Sequence, residues 1–350
     1  MDTNPTPAPL PLSTTHPIFF GRFGLRAGWA LAIFLGLYFL LNIISGFFGI
    51  AATGHMSDVI RQQMQAQAHP SQPHPALSIP LVPILSIVED GLTFLGMLVL
   101  CWFFSKAERR PLSAYGIGKS RLADVLPGAF FGLATLSLLI LILHAAHVLV
   151  FDARILHGSP IFLYGLKWLL AFLCVGFAEE YFFRGYLQFT LTRGLIGLGE
   201  KISPIHSRLV AFWIATLTTS LIFGLIHLGN SGETAFGIFQ VVEIGVVFGY
   251  ALWRTGSLWW AIGFHATWDW AQSFLYGVPD SGGLSIGRLF QTHTAGRPLL
   301  SGGVDGPEGS LLCVPVIFLV LLIIRFTTRP GPQPSLEQQP SPQPAPLSIA

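Results

Sequence analysis

The sequence predicts an all-α integral membrane protein with about eight transmembrane helices that enclose an intramembrane polar site. Three observations predict this fold class. Apolar residues make up 52% of the chain and charged residues 10%, with a mean hydropathy of +0.62, whereas soluble domains carry about 25% charged residues. Eight apolar stretches are long enough, or nearly so, to cross a bilayer. A few charged residues interrupt these stretches, although each costs about 2.5–3.5 kcal/mol at the bilayer centre.

The predicted spans follow one another along the chain, which shows no internal repeat. They lie at residues 27–52, 79–105, 124–150, 160–193, 209–229, 236–254, 257–276 and 311–326. The first three form an N-terminal unit, residues 21–155, and the next four form a core unit, residues 160–276. The last span, within residues 311–329, is the shortest.

The segments between and beyond the spans have the composition of loops and tails. Residues 1–20 and 330–350 are rich in proline and are predicted to be disordered. Residues 53–78 form a polar loop. Residues 277–310 form a Gly-rich loop with little helical character.

Lysine and arginine are distributed unevenly between the two sides of this predicted bundle. Thirteen of the 19 lie on one side, four lie on the other, and two lie within the fourth span. Because cytoplasmic loops carry an excess of Lys and Arg, both termini are predicted to be cytoplasmic, in a multi-pass protein of the plasma membrane. The lipid bilayer is then its first partner. A net charge of +2 without a long basic run gives no indication of nucleic-acid binding.

The densest group of charges is the segment EEYFFR at residues 179–184, in the fourth span. On a helix, Glu180 and Arg184 stand at i and i+4 with the acid first, which is the favourable order for an ion pair. Glu179 is rotated by about 100° from its neighbour and lacks that partner, which suits it to accept a proton from water as a general base. The alternative is a buried pair that only joins neighbouring helices. Such a pair needs one carboxylate, and this segment has two.

Two other polar motifs lie in comparably apolar segments. His227 ends the run SLIFGLIH, and a single histidine on an apolar helix is more often an interhelical hydrogen-bonding contact than a ligand. His265 and Asp269 stand at i and i+4 and face the same direction. This spacing suits a carboxylate that orients an imidazole, two metal ligands, or groups around a developing oxyanion. It also suits a contact that only ties helices together. The three motifs together predict one buried site assembled from three helices.

Taken in order on separate helices, EExxxR, FxxxH (Phe223 to His227) and HxxxD (His265 to Asp269) resemble the CPBP family of intramembrane proteases. That family includes the CAAX prenyl endopeptidases of the Ras-converting type and bacterial proteins linked to bacteriocin self-immunity. The resemblance covers about residues 165–276.

The resemblance implies a role for each motif residue. Glu179 activates the water, His227 helps to hold that water or a metal, and Glu180 and Arg184 form a supporting ion pair. His265 and Asp269 stabilise the tetrahedral oxyanion or complete the site. The last position is often Asn in the prenyl-protein enzymes. Because a carboxylate only accepts hydrogen bonds unless it is protonated, Asp269 favours an orienting or metal-binding role.

The motifs leave the question of a metal open. Glu179, His227 and His265 are the candidate ligands, and they could bind Zn²⁺ or hold only a water molecule. The chain has no HExxH motif. We therefore expect chemistry that is independent of a metal, or for which a metal is optional.

The leading functional hypothesis is an intramembrane endopeptidase, a peptide hydrolase with residues 160–276 as its catalytic core. Its substrate would be a membrane-associated protein, with or without a prenyl group. Water would attack it in a cavity that opens to the cytoplasm and laterally to lipid. Two alternatives stay open: a non-catalytic scaffold or immunity-type protein, and a transporter coupled to ions or protons. The lack of an internal repeat and the confinement of the main polar groups to the second half weigh against a transporter.

Overall fold

The computed structural model describes residues 18–53, 82–230 and 232–337. Two predictions concern residues outside these ranges. They are the disorder of residues 1–17 and 338–350 and most of the polar loop at 53–78.

Helices make up most of the described chain. The first five are α1 (Ala27–Thr53), α2 (Pro83–Ala107), α3 (Val125–Ala145), α4 (Ser159–Glu180) and α5 (Gln188–Ile202). The next five are α6 (Ser207–Ile226), α7 (Ala235–Thr255), α8 (Trp259–Trp270), the short α9 (Pro298–Ser301) and α10 (Cys313–Thr327). Two π-helical segments interrupt this series. Tyr181–Leu187 joins α4 to α5, and Ala271–Tyr276 extends α8.

Short 3-10 helices and strands complete the described elements. The 3-10 helices are Leu112–Tyr115, Lys119–Asp124, His227–Gly229 and Pro307–Gly309. The strands are β1 (Phe20–Gly21), β2 (Gly24–Leu25), β3 (Leu149–Arg154) and β4 (Phe290–Thr294). β1 pairs antiparallel with β2, and β3 pairs antiparallel with β4.

Six helical runs in the described ranges are long and apolar enough to cross a membrane, which makes the chain a multi-helix membrane protein. They are Ala27–Gly49, Pro83–Ala107, Leu112–Ala145, Ser159–Ile202, Ser207–Gly229 and Ala235–Thr255. The predicted count of eight is therefore matched only in part. The segments predicted at 257–276 and 311–326 are helical, but α8 has 12 residues before its 6-residue π segment, and α10 has 15. A bilayer crossing takes about 20 residues.

Glycines bring α8 against both α3 and α4. On α3, a Cβ at Gly128 would lie 2.1 Å from the Trp260 carbonyl oxygen, and one at Gly132 would lie 2.3 Å from that of Phe264. On α4, a Cβ at Gly176 would lie 3.2 Å from backbone atoms of α8. Small residues spaced by four permit this backbone contact between membrane helices. The packing fixes the height and rotation of α8, and therefore the position of its HxxxD motif, against the EExxxR segment.

The loops and helix ends form two opposite faces of the bundle. We call one the arginine face, formed by residues 18–26, 106–124, 193–208, 254–258 and 325–337. Arg110 connects its parts, because the guanidinium donates to the backbone oxygens of Phe23 (2.8 Å) and Leu336 (2.7 Å). The segments near both ends of the chain therefore lie on the same face. Residues 328–337, most of them in the stretch predicted to be disordered, contact the bundle there; we call this segment the strap.

The opposite face, which we call the lid face, is formed by residues 146–158, 227–230, 232–234 and 277–310. The last of these segments is the predicted Gly-rich loop, and we call it the lid. The β3–β4 ladder ties the lid to the end of α3, from Leu149 opposite Thr294 to Arg154 opposite Phe290. A second tie joins it to α7, where the Thr234 hydroxyl donates to Asp305 Oδ2 at 2.7 Å.

Candidate active site

The EExxxR segment forms a wholly buried ion pair. Arg184 Nη1 donates to Glu180 Oε1 at 2.9 Å, and neither side chain is exposed. The guanidinium also lies over the Phe223 ring, with its Cζ 4.4 Å from the ring centroid. Arg184 lies in the π segment, an irregularity that is frequent at functional sites. The i, i+4 pairing predicted from the sequence is therefore present in the structure.

His265 contacts three carboxylates. Its Nδ1 lies 3.2 Å from Glu180 Oε1, while its Nε2 lies 3.4 Å from Asp269 Oδ2 and 3.8 Å from Glu179 Oε2. A ring that carries protons on both nitrogens satisfies Glu180 and Asp269 at the same time. The structure thus brings together five of the six candidate residues: Glu179, Glu180, Arg184, His265 and Asp269.

His227, the sixth candidate, is connected to this cluster through Phe223. The Phe223 ring lies 4.7 Å from the His227 ring and 6.4 Å from the His265 ring, between centroids. His227 Nδ1 is 2.7 Å from the Phe223 carbonyl oxygen. Because a carbonyl oxygen can only accept, Nδ1 carries the proton, and in a neutral ring Nε2 is then an acceptor.

A cavity of ≈ 240 Å³ joins these groups. Glu179, His227, His265 and Asp269 line its polar part. Apolar side chains of α4, α7, α8 and α10 line the rest, and they include Val175, Val241, Ile244, Phe248, Phe264, Ile317 and Val320. Glu180 and Arg184 are not among the lining residues; they lie behind His265. The cavity therefore combines a hydrolytic set of side chains with an apolar surface.

Three lid residues line the same cavity and were not found by the sequence analysis: Asp280, Ser281 and Glu308. In the sequence they stand out only as polar residues within Gly- and Pro-rich turns, VPDSGG and DGPEGS. Surface turns in general have this composition, so it does not indicate a site. The sequence led us to expect a cavity that opens toward the Lys- and Arg-rich side. None of the described residues that line the cavity belongs to the arginine face, whereas the lid and Asn230 contribute four of them.

The candidate metal ligands do not converge on one point. Within residues 18–53, 82–230 and 232–337, no group of three or more His, Cys, Asp or Glu side chains has the arrangement needed to hold a metal ion. His265 Nε2 already faces two carboxylates, and His227 Nδ1 is engaged with a backbone oxygen. The residues present do not fit a zinc site, and we derive no step through a metal.

Comparison with protein-family models gives one match that bears on this site. Residues 161–271 match the model described as type II CAAX prenyl endopeptidase Rce1-like. Comparisons with curated proteins and with solved structures gave no match. The matched segment contains all three motifs and the helices that carry them. The resemblance inferred from the motifs is therefore confirmed: residues 161–271 of this chain match the Rce1-like family of type II CAAX prenyl endopeptidases.

Proposed function

We propose that this protein is an intramembrane endopeptidase that hydrolyses a peptide bond with a glutamate-activated water. The observation that carries the proposal is the position of His265, which contacts Glu179, Glu180 and Asp269 in a cavity that His227 also lines. The family match supports protease activity of the CAAX type. Its substrate would be a membrane-associated protein, with or without a prenyl group.

In this mechanism Glu179 is the general base. Its side chain is 31% exposed, whereas that of Glu180 is fully buried, so water reaches the first carboxylate and not the second. A water between Glu179 and His227 donates one hydrogen bond to each, because the carboxylate and a neutral Nε2 are both acceptors. Glu179 takes the proton as the water oxygen attacks the peptide carbonyl carbon, and it later gives that proton to the leaving amine.

His265 stabilises the oxyanion in this mechanism. Glu180 holds Nδ1–H of the protonated ring, and Nε2–H turns from Asp269 toward the developing negative charge. Asp269 then acts as the residue that orients His265, which fits a carboxylate at a position where the family often has Asn. Glu180 and Arg184 are positioning residues, because they hold His265 and do not line the cavity.

The membrane topology forms part of the proposal. The two shorter helices complete eight crossings, since each connects the two faces: α8 leads from residues 254–258 to the lid, and α10 leads from the lid to the strap. The arginine face, with both terminal segments, lies in the cytoplasm of a cell with this protein in its plasma membrane.

The test compares purified wild type with Glu179→Gln on a farnesylated CAAX peptide in detergent, where both faces are accessible. Glu243→Gln is the matched control, because Glu243 is an acid within α7 that lines a separate groove with Trp213 and Arg325. We expect cleavage by wild type and Glu243→Gln, unaffected by a chelator, and a loss of about 10²–10⁴-fold for Glu179→Gln. Equal cleavage by Glu179→Gln would exclude it as the base and would favour the scaffold alternative. Inhibition by the chelator would show that cleavage depends on a metal ion.

A further inference from the structure

The cavity reaches only one face of the described bundle. Its lining includes Asp280, Ser281 and Glu308 of the lid, together with Asn230. It also includes Gln240, Val241 and Ile244 in the half of α7 that begins at the lid face, Phe248 just past the middle of that helix, and residues from Cys313 to Val320 in the first half of α10. On the opposite side the site is closed by the wholly buried Glu180–Arg184 pair and the aromatic cluster behind it, which includes Phe183 and Tyr186.

The lid forms part of the cavity wall and is held there by hydrogen bonds. Asp280 Oδ2 accepts a hydrogen bond from Ser273 at 2.8 Å, which draws the start of the lid back against the helix that carries His265. The backbone N–H of Ser281 donates to Glu308 Oε1 at 2.6 Å, so the start and the end of the lid meet over the cavity. Gln240 of α7 donates to the backbone oxygens of Glu308 and Ser310, while its buried Oε1 has no protein partner among the described residues.

The two faces differ sharply in charge. The arginine face carries thirteen basic residues: Arg22, Arg26, Lys106, Arg109, Arg110, Lys119, Arg121, Arg193, Lys201, Arg208, Arg254, Arg325 and Arg329. The described lid face carries three, Arg154, Arg288 and Arg297, and five acids, Asp152, Glu233, Asp280, Asp305 and Glu308. By the positive-inside rule the arginine face is cytoplasmic, and the lid face is then extracytoplasmic.

We infer that the active cavity opens to the extracytoplasmic side, beneath the lid, and that its substrates are membrane-anchored polypeptides whose scissile bond lies at that side of the bilayer. The inference rests on the proposed function for its reaction and on the distribution of Lys and Arg for its direction. A prenylated chain end held at the cytoplasmic leaflet would meet the arginine face, where no described lining residue of the cavity lies. The extracytoplasmic end of a transmembrane helix has the chemistry that fits, because the apolar wall accepts its membrane portion and the polar part receives the peptide bond that follows.

The opening can be tested without any activity, by thiol labelling in intact cells. Val304→Cys places a thiol on the exposed outer side of the lid, and Ser281→Cys places one in the cavity wall. Ser120→Cys places one at an exposed position of the arginine face. The three native cysteines are buried, so wild type gives the background. With a membrane-impermeant maleimide we expect the two lid variants to react in intact cells and the Ser120→Cys variant to react only after permeabilisation. The reverse pattern would overturn the inference.

The substrate class is tested with two libraries of single-span reporters in cells. Both carry the same randomised juxtamembrane segment, at the extracytoplasmic end of the span in one library and at the cytoplasmic end in the other. We expect wild type, but not Glu179→Gln, to cleave members of the first library. Glu179-dependent cleavage of the second alone would overturn the inference and leave the proposed function intact. If neither library is cleaved in a Glu179-dependent way, the proposed function fails, and the labelling pattern decides the direction of the opening by itself.

Discussion

The Glu180–Arg184 pair should contribute little net stability, despite being wholly buried. One hydrogen bond of 2.9 Å joins the two groups, but Glu180 Oε2 and the Nε and Nη2 atoms of Arg184 have no hydrogen-bond partner among the described residues. Attraction between buried charges repays their desolvation only when the remaining donors and acceptors are also satisfied. Apolar side chains of similar size should therefore stabilise the fold as well as the charged pair does.

The single and double variants should differ strongly in their free energies of unfolding. Arg184→Met leaves Glu180 buried with only His265 Nδ1 within hydrogen-bonding distance, at 3.2 Å. Breaking a buried pair in this way costs about 3–5 kcal/mol, and Glu180→Met should cost a similar amount. The double variant removes both charges and leaves only His265 Nδ1 without its partner, so it should lose at most about 1–3 kcal/mol relative to wild type. The coupling energy between the two sites is then at least about 3 kcal/mol, at the upper end for residues in contact.

The assay is unfolding by SDS in mixed micelles, combined with peptide cleavage. The two variants that lack Glu180 should be inactive, because His265 loses the carboxylate that holds its Nδ1. The control is the buried Glu108–Arg193 pair, in which Glu108 also pairs with Arg110 Nε at 3.3 Å, so its double Met variant leaves the Arg110 charge unpaired. Glu108 also accepts hydrogen bonds from the Tyr186 hydroxyl (2.6 Å) and the Tyr115 hydroxyl (3.3 Å), so its double Met variant should lose about 1–3 kcal/mol for each hydroxyl left unpaired. A double variant at Glu180 and Arg184 as unstable as the sum of its singles would refute the reasoning.

Two further predictions concern the strap and the lid. Arg110→Met should free the last described residues of the strap for proteolysis, because its guanidinium donates to the backbone oxygens of Leu336 and Glu337 at 2.7 and 2.9 Å, and hydrogen bonds to charged groups contribute about 1.5–3 kcal/mol each. At the lid, burial and the neighbouring Asp305 raise the pKa of Glu233 from its ordinary 4.5 to about 7. The stabilisation by protonated Glu233 is full below pH 4.5 and is lost as the pH rises through 7. Hydrogen-exchange protection of the lid should fall over that range.

Each of these predictions has a control and a refuting result. Arg121→Met is the control for the strap, since its partly exposed guanidinium pairs with Asp124 at 2.7 Å and, among the described strap residues, reaches only the Arg329 oxygen, at 3.3 Å. Equal protease resistance of wild type and Arg110→Met would show that the strap is held by other contacts. Glu233→Gln, which is neutral at every pH, should flatten the change in lid protection after correction for intrinsic exchange. An unchanged pH profile in that variant would assign the titration to another group.

The motif residues could be predicted from the sequence because charged groups in apolar spans are costly and therefore few. Glu180 and Arg184, or His265 and Asp269, stand one helical turn apart, and that local spacing alone predicted their pairing. The contact between the motifs could not be predicted in the same way. It depends on Gly128, Gly132 and Gly176, whose only sequence property is the absence of a side chain, and on where α8 packs against its neighbours.

The positions of the lid and the strap could not be predicted from the sequence, for a different reason. The lid is pinned by a strand pairing between residues about 140 positions apart, Leu149–Arg154 with Phe290–Thr294. The strap is pinned by Arg110, which is 226 positions from Leu336. Gly- and Pro-rich segments have no hydrophobic periodicity to interpret, so composition predicts a loop or a disordered tail whether or not distant groups hold the segment. The expected direction of the cavity opening has the same origin, because composition does not show that lid residues form part of the cavity wall.

The two adjacent glutamates perform different tasks in the proposed site because a helix rotates by about 100° between them. Glu180 turns into the protein interior, where Arg184 neutralises it and His265 is held. Glu179 turns to the cavity with about a third of its side chain exposed. A general base must exchange protons with water, whereas a positioning carboxylate must keep a fixed partner, and one residue cannot occupy both environments. The proposed site therefore needs both Glu179 and Glu180. An ion pair that only joined two helices would need one carboxylate.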